Sequence, residues 1–269
     1  MSLTFPYHLD RVRDAMIAQQ PALEKAAKIY ADAIAAGGVV HVYANGHSRI
    51  AVEEMCVRMG ALTGFRAILQ AGLTTFTDVT GPNGIRICQT IEKVEGLGAK
   101  LLDDVDVAPA EPLVVISATG QTQAAVDIAD EWLRRYPDNP LICLCSVEQS
   151  DQGTPKHSCG MNLSHLARRA RIGILIDNAM PLGDTSVVVE GNHDTYPVCP
   201  LSSIGAVTVV QSLNELTIRE LDRRGIRHHV LRNMHLFDTR DTYSAWIRDE
   251  RKRYARALNN PDRIGPRQV

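Results

Sequence analysis

The chain has 269 residues, of which 45% are apolar and 22% charged, and its formal net charge is −2. These values exclude a disordered chain and allow one large domain, or one domain with appendages, that buries a substantial core. The small net charge gives no general attraction to nucleic acid. No run approaches the length of a membrane span and residues 1–6 lack a signal-peptide pattern, so we expect a soluble cytoplasmic protein.

The six cysteines lie mostly within apolar strand or helix patterns, so we expect buried thiols and no disulfide framework. Cys143 and Cys145 alternate along one predicted strand and therefore face the same side of it. His157 lies close to Cys159, but no second Cys/His pair follows at the spacing of a structural zinc site. We therefore expect neither a bound metal nor a cofactor.

Residues 9–36 carry apolar side chains at roughly helical spacing. This pattern predicts one or two N-terminal helices, interrupted at Pro21 and ending at Gly37 and Gly38. Residues 39–44 are rich in β-branched and aromatic side chains, which predicts a first strand.

A glycine-containing turn joins this strand to a segment of helical composition. Gly46, His47 and Ser48 lie in that turn, where backbone N–H groups have no helical partner and the helix dipole is positive. Such a junction suits a phosphate or carboxylate, and Ser48 could cap the helix or donate its hydroxyl to a ligand. On this turn alone, a junction that only satisfies its own backbone is an equally good interpretation.

The next part of the chain repeats this arrangement. Residues 62–69 predict a second strand, residues 71–84 a polar loop and residues 85–103 a helical segment. Residues 113–122 are again an apolar strand followed by a turn rich in hydroxyl groups and glycine, and residues 123–135 read as a helix. Two strand ends with Ser and Thr donors could therefore face one ligand.

The two turns together resemble the motifs of the sugar isomerase (SIS) domain family. The first turn reads Gly-His-Ser at residues 46–48. The second reads Ser-Ala-Thr-Gly-Gln-Thr at residues 117–122, where the family pattern is Ser-Xaa-Ser-Gly-Xaa-Thr and Thr119 keeps a hydroxyl. The chain most resembles uncharacterised bacterial SIS proteins in which Gly-Xaa-Gly-His-Ser precedes Ala-Glu-Glu. This resemblance covers about residues 39–220.

The remaining apolar segments complete the predicted fold. Residues 141–147 and 172–177 are continuous apolar runs, which predict strands buried on both faces of a sheet. Residues 148–171 predict a loop and a short Arg-rich segment, residues 185–198 an edge strand or hairpin, and residues 204–223 a long helix. We therefore predict a three-layer α/β/α, doubly wound fold around a five-stranded parallel sheet, with helical extensions at both ends.

The resemblance implies an anion and substrate site built by the two turns and the chain after the fifth strand. Asp184 follows Gly183 as in similar SIS proteins, although a turn aspartate that bonds its own backbone would look the same. We also expect Ser202 and Ser203 to cap the long helix. The predicted binding residues are Gly46, Ser48, Ser117, Thr119, Gly120, Thr122, Asp184 and Ser203.

The resemblance also indicates where a catalytic base would lie. In SIS isomerases such as the phosphoheptose enzyme, side chains six and ten residues after the loop serine face the substrate, and here these are Glu54 and Arg58. We predict Glu54 as general base, Arg58 as a neighbour that keeps it ionised or contacts the substrate, and His47 or His157 as proton donor for ring opening. An exposed ion pair between Glu54 and Arg58 would give the same sequence pattern.

We divide the chain into an N-terminal helical segment at 1–37, a phosphosugar-binding domain at 38–222 and a basic helical extension at 223–269. The extension has twelve Lys or Arg residues against five acidic ones. We favour an arm packed on another subunit over a nucleic-acid site for it. SIS domains usually pair, so the resemblance implies a homodimer or a dimer of dimers.

The resemblance implies a phosphorylated sugar, or a similar anionic sugar derivative, as the ligand. The first hypothesis is an enzyme that interconverts aldose and ketose phosphates. The second is a non-catalytic phosphosugar sensor, although the segment before the first strand is too short for the DNA-binding domain of SIS repressors. An etherase of the SIS type stays open as well, and a fold alone does not decide among these functions.

Overall fold

The computed structural model describes residues 3–74, 84–233, 244 and 248, with only the backbone described for residues 84–87. In chain order, the helices of this part are α1 (Leu9–Ala18), α2 (Gln20–Ala35), α3 (Arg49–Met55), α4 (Ala71–Thr74), α5 (Gly84–Ile91), α6 (Leu97–Asp103), α7 (Gln123–Arg135), α8 (Val147–Gln152), α9 (Leu163–Arg169) and α10 (Ser202–Arg223). The strands are β1 (Val40–Ala44), β2 (Phe65–Ile68), β3 (Leu113–Ile116), β4 (Leu141–Cys145), β5 (Gly173–Asp177), β6 (Val187–Glu190) and β7 (Thr195–Val198).

Five strands form one parallel sheet in the order β2-β1-β3-β4-β5. In the register, Val42 of β1 lies beside Ala67 of β2 on one side and Val114 of β3 on the other. The strand order reverses between β1 and β3, so the connections after these two strands leave in opposite directions. The predicted five-stranded parallel α/β fold is confirmed.

Helices cover both faces of the sheet because successive strand residues point to opposite sides. Val40 and Val42 pack with α2, α3 and α10 in one buried cluster. Tyr43 points the other way, into a second cluster with α6, α7 and α9. Both clusters are apolar, as continuous apolar strands require, and the fold has three layers.

The N-terminal helices share the core of the sheet. Tyr30 of α2 is fully buried and its ring meets Phe65 of β2 edge to face, with ring centroids 5.7 Å apart. The helical segment was predicted to break at Pro21, and the break lies just before that residue, between Ala18 and Gln20. Pro21 lies in the first turn of α2, where proline is favoured. The division at residue 37 stays a prediction.

Three predicted segments differ in detail. The segment predicted as one helix at 85–103 is split into α5 and α6 by Gly96, whose φ of 89° is left-handed. The predicted loop at 148–171 contains two helices, α8 and α9; α8 begins where the Ser146 hydroxyl accepts the backbone N–H of Gln149. Of the predicted loop at 71–84, α4 is helical, and residues 75–83 lie outside the described part.

Two short pairings flank the main sheet. Strands β6 and β7 form their own antiparallel hairpin, so the hairpin alternative for residues 185–198 is correct. After α10 the chain returns to the edge of the sheet, where Val230 and Leu62 form an isolated antiparallel bridge. Most of the basic extension at 223–269 lies outside the described residues.

The cysteines are only partly as predicted. All six are free thiols, and Cys88, Cys143 and Cys145 are buried, the last two on the same face of β4, whereas Cys56, Cys159 and Cys199 are partly exposed. Burial raises the pKa of the Cys145 thiol to about 12, so it stays protonated at neutral pH. Among the helices described, none combines the length and apolar character needed to cross a bilayer.

Candidate functional site

A cavity of about 320 Å³ opens at the carboxyl ends of β1 and β3, where the strand order reverses. Doubly wound sheets bind their ligands at this point, because the two departing connections leave a crevice between them. The lining residues come from both turns, from the residue after α5, from the loop after β5 and from the start of α10. They are Asn45, Gly46, His47, Ser48, Glu92, Ser117, Ala118, Thr119, Thr122, Asp184, Pro200, Ser202 and Ser203.

The first turn supplies a serine that does not cap its helix. A 3-10 turn, Gly46–Ser48, follows β1 and leads directly into α3. Gly46 has a left-handed φ of 58°, which explains a glycine at the sharpest point of the turn. Ser48 is the N-cap residue of α3, but its side chain makes no capping hydrogen bond. The Ser48 hydroxyl at the cavity wall is thus not used by the helix it begins.

The second turn is organised by its own hydroxyl groups. Ser117 Oγ accepts the backbone N–H of Gly120 at 3.2 Å, and Thr119 Oγ1 accepts that of Gln121 at 3.2 Å. Thr122 is the N-cap residue of α7, and it also makes no capping hydrogen bond through its side chain. The Thr122 hydroxyl therefore faces the cavity without a helical partner, beside the positive end of a 13-residue helix.

Gly120, predicted as a binding residue, lies behind the wall of the cavity. Its φ is 71°, and a Cβ atom there would come within 2.8 Å of Cys145 Sγ and within 2.7 Å of Ser150 Oγ. A glycine is therefore required for the turn to pass close to β4 and α8. Its contribution is to the shape of the turn.

Glu92 is a cavity residue that the sequence does not reveal. It follows α5 and is half-buried, and its carboxylate accepts a hydrogen bond from Asn45 Nδ2 at 2.8 Å. Burial raises the pKa of Glu92 above its ordinary value, and the bond from Asn45 offsets part of that rise. A carboxylate with a raised pKa in a polar cavity is suited to proton transfer. No motif marks Glu92, because only the fold brings it to Asn45.

Asp184 forms the cap that Ser202 and Ser203 were expected to provide. One of its oxygens accepts the backbone N–H groups of Leu201 and Ser202, at 2.9 and 2.8 Å. The other accepts the Ser202 hydroxyl at 2.6 Å. Asp184 thus closes the start of α10 while it lines the cavity with Ser203. Its carboxylate bonds 17 and 18 residues ahead, and only its backbone N–H bonds within its own turn, to the carbonyl of Pro181.

Glu54 and Arg58 lie outside the lining of this cavity. They form an ion pair on α3, with Arg58 Nε 3.1 Å from Glu54 Oε1. Gln211 of α10 also donates to Glu54, at 3.0 Å. Arg58 lines a separate cavity with Met59, Gly60 and residues 230–233. Glu54 and Arg58 therefore form the ion pair that was the alternative interpretation of their spacing. A catalytic role for them stays a prediction.

His157 is also away from the cavity. It is 8% exposed, and its Nδ1 accepts the backbone N–H of Cys159 at 3.1 Å. Its Nε2 must then carry the hydrogen, which it donates to Asp127 at 3.0 Å. Asp127 also accepts two backbone N–H groups, those of Gly96 and Gly98. Both ring nitrogens are occupied, so His157 joins α6, α7 and the loop before α9 and has no nitrogen left for a ligand.

Of the predicted catalytic residues, His47 alone lines the cavity. It is exposed on the first turn, next to Ser48. The described residues contain no cluster of three or more His, Cys, Asp or Glu side chains that could hold a metal ion. The titratable side chains that line this cavity are His47, Glu92 and Asp184.

The sheet topology and the polar cavity at its switch point define a ligand-binding domain of the doubly wound α/β class. The family model described as the SIS domain matches residues 7–135, which include both turns and helix α7. The resemblance to the SIS domain family predicted from the two turns is confirmed over residues 7–135.

Curated relatives extend the similarity over most of the chain. A UPF0309 protein of Halalkalibacterium halodurans is 28% identical over 232 residues, which cover 86% of this chain and 89% of the relative. A UPF0309 protein of Streptomyces griseus subsp. griseus is 25% identical over 230 residues, which cover 84% of this chain and 83% of the relative. These relatives fit the expectation of uncharacterised bacterial SIS proteins.

Two solved structures are similar to this chain at low sequence identity. A phosphoheptose isomerase from Francisella tularensis is 14% identical with a TM-score of 0.48, and the match covers 80% of this chain and 94% of that one. A phosphoheptose isomerase from Neisseria gonorrhoeae is 11% identical with a TM-score of 0.46, and the match covers 80% and 95%.

Proposed function

We propose that the chain binds a phosphorylated sugar in the cavity between β1 and β3 and interconverts its aldose and ketose forms. The observation that carries this proposal is the convergence of two hydroxyl-bearing turns on one cavity that also holds a carboxylate with a raised pKa. The turns suit an anion, and the carboxylate suits proton transfer next to a carbonyl group.

The phosphate would lie against the hydroxyls of Ser48, Ser117, Thr119 and Thr122. Ser48 and Thr122 are the main donors in this proposal, because neither hydroxyl serves its own helix. The positive ends of α3 and α7 add to the attraction of an anion. Hydroxyl and helix-dipole donors together can hold a phosphate without an arginine at the same place.

Glu92 is the base in this proposal. It would take the proton from C2 of the sugar and return it to C1, and His47 would donate a proton during ring opening. Glu92 takes the place first assigned to Glu54 because Glu92 lines the cavity and Glu54 does not. Asn45 would orient the Glu92 carboxylate through their 2.8 Å hydrogen bond.

We also propose how the chain is divided into domains and how its copies assemble. A main phosphosugar-binding domain at 38–222 would be flanked by the N-terminal helices and the basic extension, in a homodimer or a dimer of dimers. The part of the basic extension after residue 233 would pack as an arm on another subunit, since residues 226–231 pack on the sheet edge of their own chain. Light scattering on a chain ending after Asn233 tests this arm: we expect a smaller assembly, and an unchanged mass with lost nucleic-acid binding would contradict it.

We expect the double variant Ser117→Ala, Thr122→Val to bind a sugar phosphate at least about a hundredfold more weakly. Each hydrogen bond to a charged group contributes about 1.5–3 kcal/mol, and two are removed. The dephosphorylated sugar should lose little affinity, since it lacks the anion. Calorimetric titration with both ligands measures the difference, and an equal loss for both would mean that these residues only shape the turn.

A thermal-shift screen over sugar phosphates, followed by hydrogen exchange in heavy water for each ligand that binds, tests the proposed reaction. An isomerase should incorporate solvent deuterium at C2 of a bound sugar phosphate. Binding without exchange would contradict the isomerase and support a sensor. Release of a second product from an ether-bearing sugar phosphate would support an etherase instead.

A further inference from the structure

A second, smaller cavity of about 170 Å³ adjoins the proposed phosphosugar site. The two cavities share three lining residues, Glu92, Thr119 and Thr122. Ser48 and Ser117, which the proposed function assigns to the phosphate, line the larger cavity and not the smaller one. A ligand that fills the larger cavity could therefore extend past Glu92 into the smaller one.

The smaller cavity differs from the larger one in its charge. Lys93 and Lys156 both line it, and both act electrostatically on the Glu92 carboxylate. Neither lysine forms a salt bridge with a carboxylate among the residues described, in contrast to Lys100, which pairs with Asp103 at 3.2 Å. Two ammonium groups therefore face one carboxylate, and the cavity has an excess of positive charge.

The wall of the smaller cavity is held in place by amide side chains. Gln123 Nε2 donates to the backbone carbonyl of Lys156 at 3.2 Å, which fastens the Lys156 loop to the first turn of α7. Gln149 donates to Gln121 at 3.4 Å and accepts the backbone N–H of Gly183 at 3.3 Å. Lysines and amides presented on a tethered wall are suited to a carboxylate or another small acidic group.

We propose that this smaller cavity binds a second acidic group of the same ligand, so that the substrate class is a phosphosugar with a further acid, such as a carboxylate. Lys93 and Lys156 are the specificity-determining residues. This inference rests on the proposed phosphosugar site, because the phosphate must occupy the larger cavity for the second acid to reach the lysines.

The test compares 6-phosphogluconate with glucitol 6-phosphate, which have the same carbon chain and phosphate but differ in one carboxylate. We expect the full chain to bind 6-phosphogluconate about tenfold or more tightly in low salt, measured by calorimetry. In the variant Lys93→Gln, Lys156→Gln this preference should fall to about threefold or less, while the affinity for glucitol 6-phosphate changes little. Both lysines are exposed, so the variant should keep the parent's melting temperature.

The matched control is Lys25→Gln, Lys28→Gln, which removes the same charge from exposed positions on α2. The control should keep the parent's preference, and an equal loss in both variants would overturn the proposal by showing a general charge effect. Equal affinity of the parent for the two ligands would overturn it as well, as would an equal weakening of both ligands in the Lys93, Lys156 variant. If the parent binds neither ligand, this inference is wrong, and the separate screen over sugar phosphates decides whether the phosphosugar site holds.

Discussion

Glu92→Gln is expected to slow hydrogen exchange at C2 of a bound sugar phosphate by about two to four orders of magnitude, the usual contribution of a general base. Glutamine keeps the shape of the side chain and its place beside Asn45 but cannot accept the proton. Binding of the sugar phosphate should be largely retained. The exchange is measured by proton NMR in heavy water with saturating ligand.

Glu54→Gln is the matched control, because it makes the same chemical change on α3, outside the cavity lining. Exchange should stay close to that of the parent in this variant. The parent's rate should rise with pH through the raised pKa of Glu92, since burial favours the protonated form and the base acts when ionised. Full exchange in Glu92→Gln together with loss in Glu54→Gln would return the base to Glu54.

Glu111→Ala is expected to lower the free energy of unfolding by about 3 kcal/mol or more. The buried carboxylate accepts three hydrogen bonds, from the backbone N–H groups of Val39 and Ala108 at 3.0 and 2.7 Å and from His41 Nε2 at 3.0 Å. Alanine leaves these donors without a partner, at about 1–3 kcal/mol for each buried group. Urea denaturation followed by circular dichroism measures the loss.

The control is Glu24→Ala on the exposed face of α2, which should lower the free energy of unfolding by about 0.5 kcal/mol or less. A loss there as large as that of Glu111→Ala would contradict this explanation.

The buried pair of His41 and Glu111 predicts that the parent protein is less stable in acid. Burial lowers the pKa of His41. Burial also pushes the pKa of Glu111 upward, but its hydrogen bonds with His41 and the backbone hold it below the ordinary value. Both groups bind fewer protons in the folded state, so stability is full above about pH 6.5 and falls as the pH drops, first through His41 and then below about 4.3 through Glu111. Unfolding midpoints in urea between pH 7 and pH 4 measure this trend, and a flat profile would contradict it.

The sheet and the two turns are predictable from sequence for a physical reason. Parallel strands buried on both faces need continuous apolar runs, and such runs mark the central strands β3 and β4, while β1 carries a single polar residue, His41, and the edge strand β2 carries Arg66. A turn between a buried strand and a helix leaves free N–H groups, which explains why Ser48 and Thr122 can be recognised as candidate donors. Both features can be recognised from residues that are close together in the sequence.

The residues of the proposed site depend on long-range packing, which local sequence patterns do not reveal. Glu92 becomes a cavity residue because Asn45, 47 residues earlier, bonds to it. His157 appears available in sequence, but Asp127 on α7 occupies its second ring nitrogen. Asp184 resembles an ordinary turn residue until α10 begins against its carboxylate. In each case the deciding partner is distant in the chain and lies on another element.

A crystal structure of the full chain with a bound monophosphorylated sugar from the screen would test the central proposal most directly. We predict phosphate density in the cavity between β1 and β3, with phosphate oxygens about 2.7–3.0 Å from the hydroxyls of Ser48, Ser117 or Thr122. The sugar carbons should then lie toward Glu92. A phosphate bound instead between Lys93 and Lys156, or beside Arg58, would contradict the assignment of the two turns as the anion site.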